Sequence, residues 1–292
     1  MPDRAGQPDA FICFTCGTQH SPSPAPPERC AICDDYRQYV GWDGQQWTTL
    51  EQLREQHQAD IREEETSLLG IGMKPSFAIG QRALLVQTPE GNVLWDCIPL
   101  LNDEIRATVR RLGGISAIAI SHPHYYCSMV DWSEAFDAPI YLHDADREWV
   151  MRPSARIEFW TGDTRRLLSD ITLVRLGGHF AGGTVLHWPA GQAGRGALLS
   201  GDILQVVQDR RWVSFMRSYP NLIPLPADKV RDMVTALEAF AFERLYGAWY
   251  GRLVAGDAKE AVTRSAIRYQ RALTGDFGFD SGTGAPPNPG TR

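Results

Sequence analysis

The residues best suited to chemistry fall in two groups, far apart in the chain. Near the N-terminus, Cys13-Phe-Thr-Cys16 and Cys30-Ala-Ile-Cys33 form two C-x2-C pairs with thirteen residues between them. A tight C-x2-C turn aims both thiolates at one tetrahedral ion, and two such turns supply four sulfur ligands at about 2.3 Å. Gly17, directly after the first pair, suits the backbone turn such a knuckle needs. Zinc is the expected occupant because nothing else in the chain announces a redox cofactor, although iron fits the same four-sulfur geometry. Two disulfides or four free thiols are the competing reading, disfavoured in a reducing compartment. A closed four-sulfur shell leaves no position for substrate, so this group is expected to be structural or to serve docking.

The second group begins at His122-Pro-His124, directly after the apolar run 117–121. Two histidines two apart at the carboxyl end of a buried strand can face one ion, but such a pair also arises by chance on surface loops. Its support lies downstream. His179 follows the run 171–176 within Gly177-Gly178-His179-Phe180, and Asp202 ends the run Leu198-Leu199-Ser200-Gly201-Asp202. Upstream, Asp96 closes Val93-Leu94-Trp95-Asp96 in the same way.

These groups need elements to hold them. Short apolar strands are expected at 76–79, 83–88, 93–96, 115–121, 140–142, 171–176, 183–188, 196–200, 212–215 and 244–246. Helices are expected at 102–112, 128–136, 145–151, 227–240 and 257–273. Thr48 with Glu51 reads as a capping box opening a polar linker helix from 49 to about 65, which would leave His57 solvated. Trp42 and Trp47 are expected to pack the cysteine module onto its neighbour. The mixture implies an α/β protein, divided into a four-cysteine module (1–48), a linker helix (49–69), a larger domain (70–275) and a flexible tail (276–292).

Composition narrows the class. The 292 residues are 43% hydrophobic and 22% charged, with net charge −6 and no Lys/Arg-rich run, so nucleic acid and anionic membranes are not expected partners. No apolar run approaches the roughly 20 residues of a membrane span, and residues 1–10 lack the apolar core of a signal peptide. A cytoplasmic protein acting on a small molecule is the expectation, and a homodimer is left open.

In order and spacing, residues 70–273 resemble the metallo-β-lactamase superfamily, the four-layer αβ/βα sandwich shared with glyoxalase II. The cysteine pairs resemble a zinc-ribbon or rubredoxin-type knuckle. The resemblance implies that His122, His124 and His179 hold a first metal, that Asp202 stands in the metal-bridging position, and that Asp96 supports the site. The departures are as informative. Where the family motif has an Asp and a His after the leading pair, this chain has Tyr126 and Cys127. Its last ligand histidine is missing from 246–252, which instead holds Trp249 and Tyr250. A mononuclear site is therefore expected, with about two zinc ions per chain when the cysteine site is counted and iron allowed at either. Three histidine nitrogens can lower the pKa of a bound water toward ~7. Asp202 would orient it or take its proton, and Tyr126 would donate to a developing oxyanion. Cys97, Cys127, His143, Trp249 and Tyr250 are candidate pocket residues, though each leftover cysteine equally suits a small buried hydrophobe. The Arg and aromatic residues of 153–164 and 206–226 hint at an anionic or planar ligand. Hydrolysis of a small ester, thioester or lactone is the implied activity. The alternative is a non-catalytic or redox protein on the same scaffold.

Overall fold

In the computed structural model, which describes residues 8–276, the central strands of the first sheet bury both faces, and successive residues go to different layers. Leu85, Leu94 and Ile118 enter one apolar cluster, while their neighbours Leu84, Val86, Val93, Trp95, Ala117 and Ala119 enter another. A strand covered on both sides reads as a continuous apolar run, which is why these segments were visible as runs rather than as alternations.

The cysteine module leads into helix α1 (Leu50–Gln56). A first sheet then follows chain order: β1 (Gln58–Glu65), β2 (Leu68–Lys74), β3 (Ala83–Val86), β4 (Val93–Trp95), β5 (Ala117–Ala119), β6 (Ile140–His143) and β7 (Ile157–Trp160). Pairing is antiparallel from β1 to β4 and parallel from β4 to β7. The second sheet runs β8 (Thr164–Arg166), β9 (Thr172–Arg175), β10 (Thr184–Trp188), β11 (Ala197–Gly201), β12 (Arg244–Gly247) and β13 (Leu253–Val254). Helices α2 (Asp103–Arg111) and α3 (Met129–Phe136) pack Ile105, Val109, Met129 and Trp132 on the outer face of the first sheet. Helices α4 (Ala227–Ala236) and α5 (Ala258–Leu273) cover the second through Val230, Met233, Ala261 and Val262. Between the sheets lies a third cluster fed by both, including Trp95, Trp160, Trp188 and Tyr246. The result is a helix–sheet–sheet–helix sandwich, as the resemblance implied.

Several expectations need correction. The linker helix stops at Gln56, and 58–65 is an edge strand paired with β2. Ala59 and Ile61 pack against the core from one face, and the charges that looked like a solvated helix are held in ion pairs, most of them with residues outside the strand. Arg62 and Lys74 pair with Asp60, Arg82 with Glu64, and Arg244 with Glu65. Charged side chains along an edge strand also discourage pairing with another chain. The capping box lies one residue later than expected, between Thr49 and Gln52. His57 caps the end of α1, only 9% exposed, with Nδ1 2.8 Å from the carbonyl of Pro75. Residues 76–79 form no strand, and 145–151 is a 3-10 turn rather than a helix. Trp42 is fully exposed and packs nothing, whereas Trp47 lies against His20 and the cysteine cluster. Beyond Asp276 the expected tail lies outside the described residues. Among those residues, no helix is long and apolar enough to cross a membrane.

Candidate metal centres and the cavity between them

The four cysteines converge as their spacing implied. Ile12–Cys13 pairs with Trp47–Thr48, and Gly17, at φ +80°, closes the first knuckle by donating its N–H to the Cys13 carbonyl at 2.9 Å. Cys30 stands at the N-cap of a short helix, Ala31–Asp34, which carries Cys33 back toward the first pair. All four sulfurs are buried and lie within 4.8 Å of one another. The sulfurs of Cys13 and Cys33 lie 3.5 Å apart and those of Cys16 and Cys30 3.7 Å apart. No pair is joined as a disulfide.

At the other centre, β5 ends at Ala119 and delivers His122, and the 3-10 turn Pro123–Tyr125 swings His124 onto the same side. His179 arrives on the loop between β9 and β10, and Asp202 directly follows β11. The three imidazoles present ligand atoms within 4.8 Å of one another. His124 Nδ1 is 3.2 Å from His179 Nε2, and His122 Nε2 is 3.3 Å from Asp202 Oδ1. The far nitrogens of His122 and His179 are anchored. His122 Nδ1 meets the Ser121 hydroxyl at 2.9 Å, and His179 Nδ1 meets the Met216 carbonyl at 3.2 Å. Such outer contacts fix the orientation of ligating histidines. Burial pushes His122 and His124 far below the usual imidazole range and His179 down to about 4, so the rings are neutral, as ligands must be. Burial likewise raises Asp202 to about 7. His122 Nε2, His124 Nε2 and Asp202 Oδ1 are buried with no hydrogen-bond partner. Buried polar atoms are rarely left so, and a cation among them would satisfy the set.

Asp96 supports the site from below, accepting the Ser121 N–H at 2.8 Å. Gly201 is needed here. It sits at φ +55°, and a Cβ would lie 2.8 Å from the Ser121 hydroxyl and 3.2 Å from an Asp96 carboxylate oxygen. Gly201→Ala is expected to cost about 2 kcal/mol, from a left-handed alanine plus a displaced Ser121. Urea denaturation of the variant checks this, and a cost below ~0.5 kcal/mol would show the turn to be tolerant.

The cysteine module does not stand apart. Arg37 is 4% exposed, forked onto Asp35, stacked 3.8 Å from the Phe180 ring centroid, with Nη1 3.4 Å from the His179 carbonyl. Ser218 donates to the Arg37 carbonyl, and Asn221 to those of Tyr36 and Gln38. Gly17 packs against Pro99 and Ala78, close to the Cys127 sulfur. Thr15, Gln38 and Tyr39 of the module thereby wall a cavity of about 360 Å³, whose floor includes His124, His179 and Asp202.

No family model matches the chain. The uncharacterized protein YmaE of Bacillus subtilis (strain 168) is 52% identical over 269 residues, spanning 91% of this chain and 98% of that protein. The chain belongs to the YmaE family. Among solved structures, the DIM-1 metallo-β-lactamase superposes with TM-score 0.56 at 13% identity, over 74% of this chain and 98% of that one. VMB-1 and TMB-1 do so with TM-scores of 0.56 and 0.55 at 11% and 12% identity, again over 74% and 98% of the respective chains. This YmaE-family chain therefore has the metallo-β-lactamase fold, with two clusters of metal-ligating groups.

Other candidate residues of this YmaE-family site divide. Trp249 lines the cavity, its indole N–H held by the Ile79 carbonyl at 3.0 Å. Tyr250 does not. It covers Gly70 and Gly72 of β2 and donates to the Asp60 carbonyl. His143 is also outside, packed on Trp160 with Nε2 on the Gly162 carbonyl. Cys97 and Cys127 are buried thiols that burial holds well above their ordinary range, and Cys127 accepts from Gln81 rather than joining the histidines. Tyr126 is in the core, because the 3-10 turn rotates Tyr125, and not its neighbour, to the site. The Tyr125 ring lies 4.4 Å from that of His122, and its buried hydroxyl faces the Asp202 carboxylate. Sequence reasoning missed Tyr125, Gln38 and Arg37, since none stands in a ligand-like pattern. Of the arginines that hinted at an anionic ligand, Arg165 pairs with Glu158 and Arg217 serves backbone carbonyls.

Proposed function

We propose that the chain is a metallohydrolase with a mononuclear zinc site, opening a small ester, thioester or lactone bond. The observation that carries this is the buried cluster of His122, His124, His179 and Asp202, three of which (His124, His179 and Asp202) floor a substrate-sized cavity. When bound, zinc supplies Lewis acidity and lowers the pKa of water toward ~7. The chain's own residues do the rest. Ser121 and the Met216 carbonyl orient His122 and His179, Asp202 receives a proton at Oδ1, and the Tyr125 hydroxyl steadies that carboxylate. Beyond Asp202 the second metal position lacks donors of the required kind, because Tyr126 and Cys127 are buried in the core. Zinc also suits the four cysteines, where its role is to hold the module in shape. Asp202→Asn is expected to lower metal-dependent hydrolysis of ester and thioester probes by about 10²–10⁴-fold. Unchanged turnover with metal still bound would remove Asp202 from the chemistry. A wild type that binds metal yet hydrolyses no probe favours the non-catalytic alternative.

A further inference from the structure

The cavity floor accounts for the metal but not for the substrate, and its walls carry two glutamines whose side-chain oxygens have no hydrogen-bond partner among the described residues. Gln38 is 6% exposed and its Oε1 is buried without a partner. Gln205, on the opposite side in sequence and on the same cavity, has its Oε1 in the same state. A buried acceptor left unmade is costly, and the backbone around Gln38 has no freedom to relieve it. Its N–H is bound to the Asp35 carbonyl at 2.9 Å, its carbonyl to Asn221 Nδ2 at 2.9 Å, and the preceding Arg37 is clamped by Asp35 and Phe180. Charge is equally informative. Among the described residues no Lys or Arg lines the cavity, and the nearby cations are committed elsewhere: Arg37 to Asp35, and Arg217 to Tyr36 and the carbonyls of Gly178 and His179. A carboxylate on the substrate, away from the metal, would be desolvated with no partner. Ala78, Ile79 and Trp249 supply an apolar side.

We propose that the cavity selects a small uncharged substrate carrying an N–H or O–H donor near the scissile bond, and that Gln38, held in place by the cysteine module, is the residue that recognises the donor. This rests on the hydrolase reading and adds the substrate class. It also gives the module a task at the site: Gln38 follows Cys33 by five residues and reaches the cavity because the clip fixes the loop.

The test uses the zinc-loaded full chain and two esters of similar size, N-acetylglycine 4-nitrophenyl ester, which is neutral with one N–H, and 4-nitrophenyl hemisuccinate, which is anionic. Wild type is expected to favour the first by at least about tenfold in kcat/KM, and Gln38→Ala to shrink that preference about tenfold, mainly through KM. Gln38→Met keeps the side chain's size without the acceptor and is expected to lose the preference as Gln38→Ala does, which a merely space-filling role for Gln38 does not explain. Equal use of both esters by wild type, or a preference unmoved by Gln38→Ala, overturns the proposal. If wild type turns over neither ester, the hydrolase reading fails. Recognition is then read by calorimetric binding of N-acetylglycinamide against succinamate. Tighter binding of the neutral amide, lost in Gln38→Ala, upholds the assignment, whereas absent or equal binding overturns it.

Discussion

Purified without added metal, the chain is expected to carry about two ions, one for each cluster of ligating side chains, and His122→Ala/His124→Ala to carry one and to hydrolyse nothing above background. The reason is geometric. Removing two of three buried imidazoles leaves His179 and Asp202, which cannot hold zinc against water at ordinary free-metal levels. The vacated space is lined by Phe180, Tyr125 and the core rather than by alternative donors. Elemental mass spectrometry with parallel activity assays reads both outcomes and identifies zinc or iron. Three ions in the wild type would mean that Cys127 ligates after all. A single ion lost only with the cysteines would leave the histidines as a non-catalytic relic.

Cys13→Ser/Cys16→Ser is expected to remove the other ion and, with it, most hydrolysis, although the histidine cluster is untouched. Structural zinc contributes about 10–16 kcal/mol to small modules that have little core of their own. Here the module's interior is four cysteines and Ile32, with Trp47, Ile79, Trp149 and Met151 around them. Without the ion, Arg37 and Gln38 keep only their hydrogen bonds to Asp35, Ser218 and Asn221, and the clamp of Arg37 on Phe180 and the His179 loop is weakened. A fall of at least about tenfold in kcat/KM with one ion retained, and a lower melting temperature, is the expected pattern. Full activity with the cysteine site empty would show that the module is dispensable to the pocket.

The site was legible where chemistry resides in residue type at strand ends. His122, His124, His179 and Asp202 were readable because each follows an apolar run, and a strand's carboxyl end fixes where the next side chain goes. Asp96 was readable on the same ground. Reading failed where geometry depends on a turn's pitch, as with Tyr125 and Tyr126, or on partners far along the chain. The strand Gln58–Glu65 looked helical because its charges had no visible counterparts. Arg82 and Arg244, which neutralise Glu64 and Glu65, lie 18 and 179 residues away. The contact of the cysteine module with the cavity was hidden for the same reason, since nothing in Cys13–Cys33 announces Phe180 or Asn221.

The clasp between Arg37 and the His179 loop also bears on how the chain acquires its shape. The partners are 142 residues apart, Ser218 reaches Arg37 across 181, and Tyr250 reaches Asp60 across 190. Contacts of such span form only after long loops have closed, so a topology rich in them folds slowly and late. The cysteine module can gather its ion as soon as it is synthesised. Its surface for Phe180 must then wait for most of the remaining chain, with Arg37 and the apolar residues beside it uncovered. During that interval an ion held by the four cysteines would keep this earlier-made segment in register for contacts that are completed last.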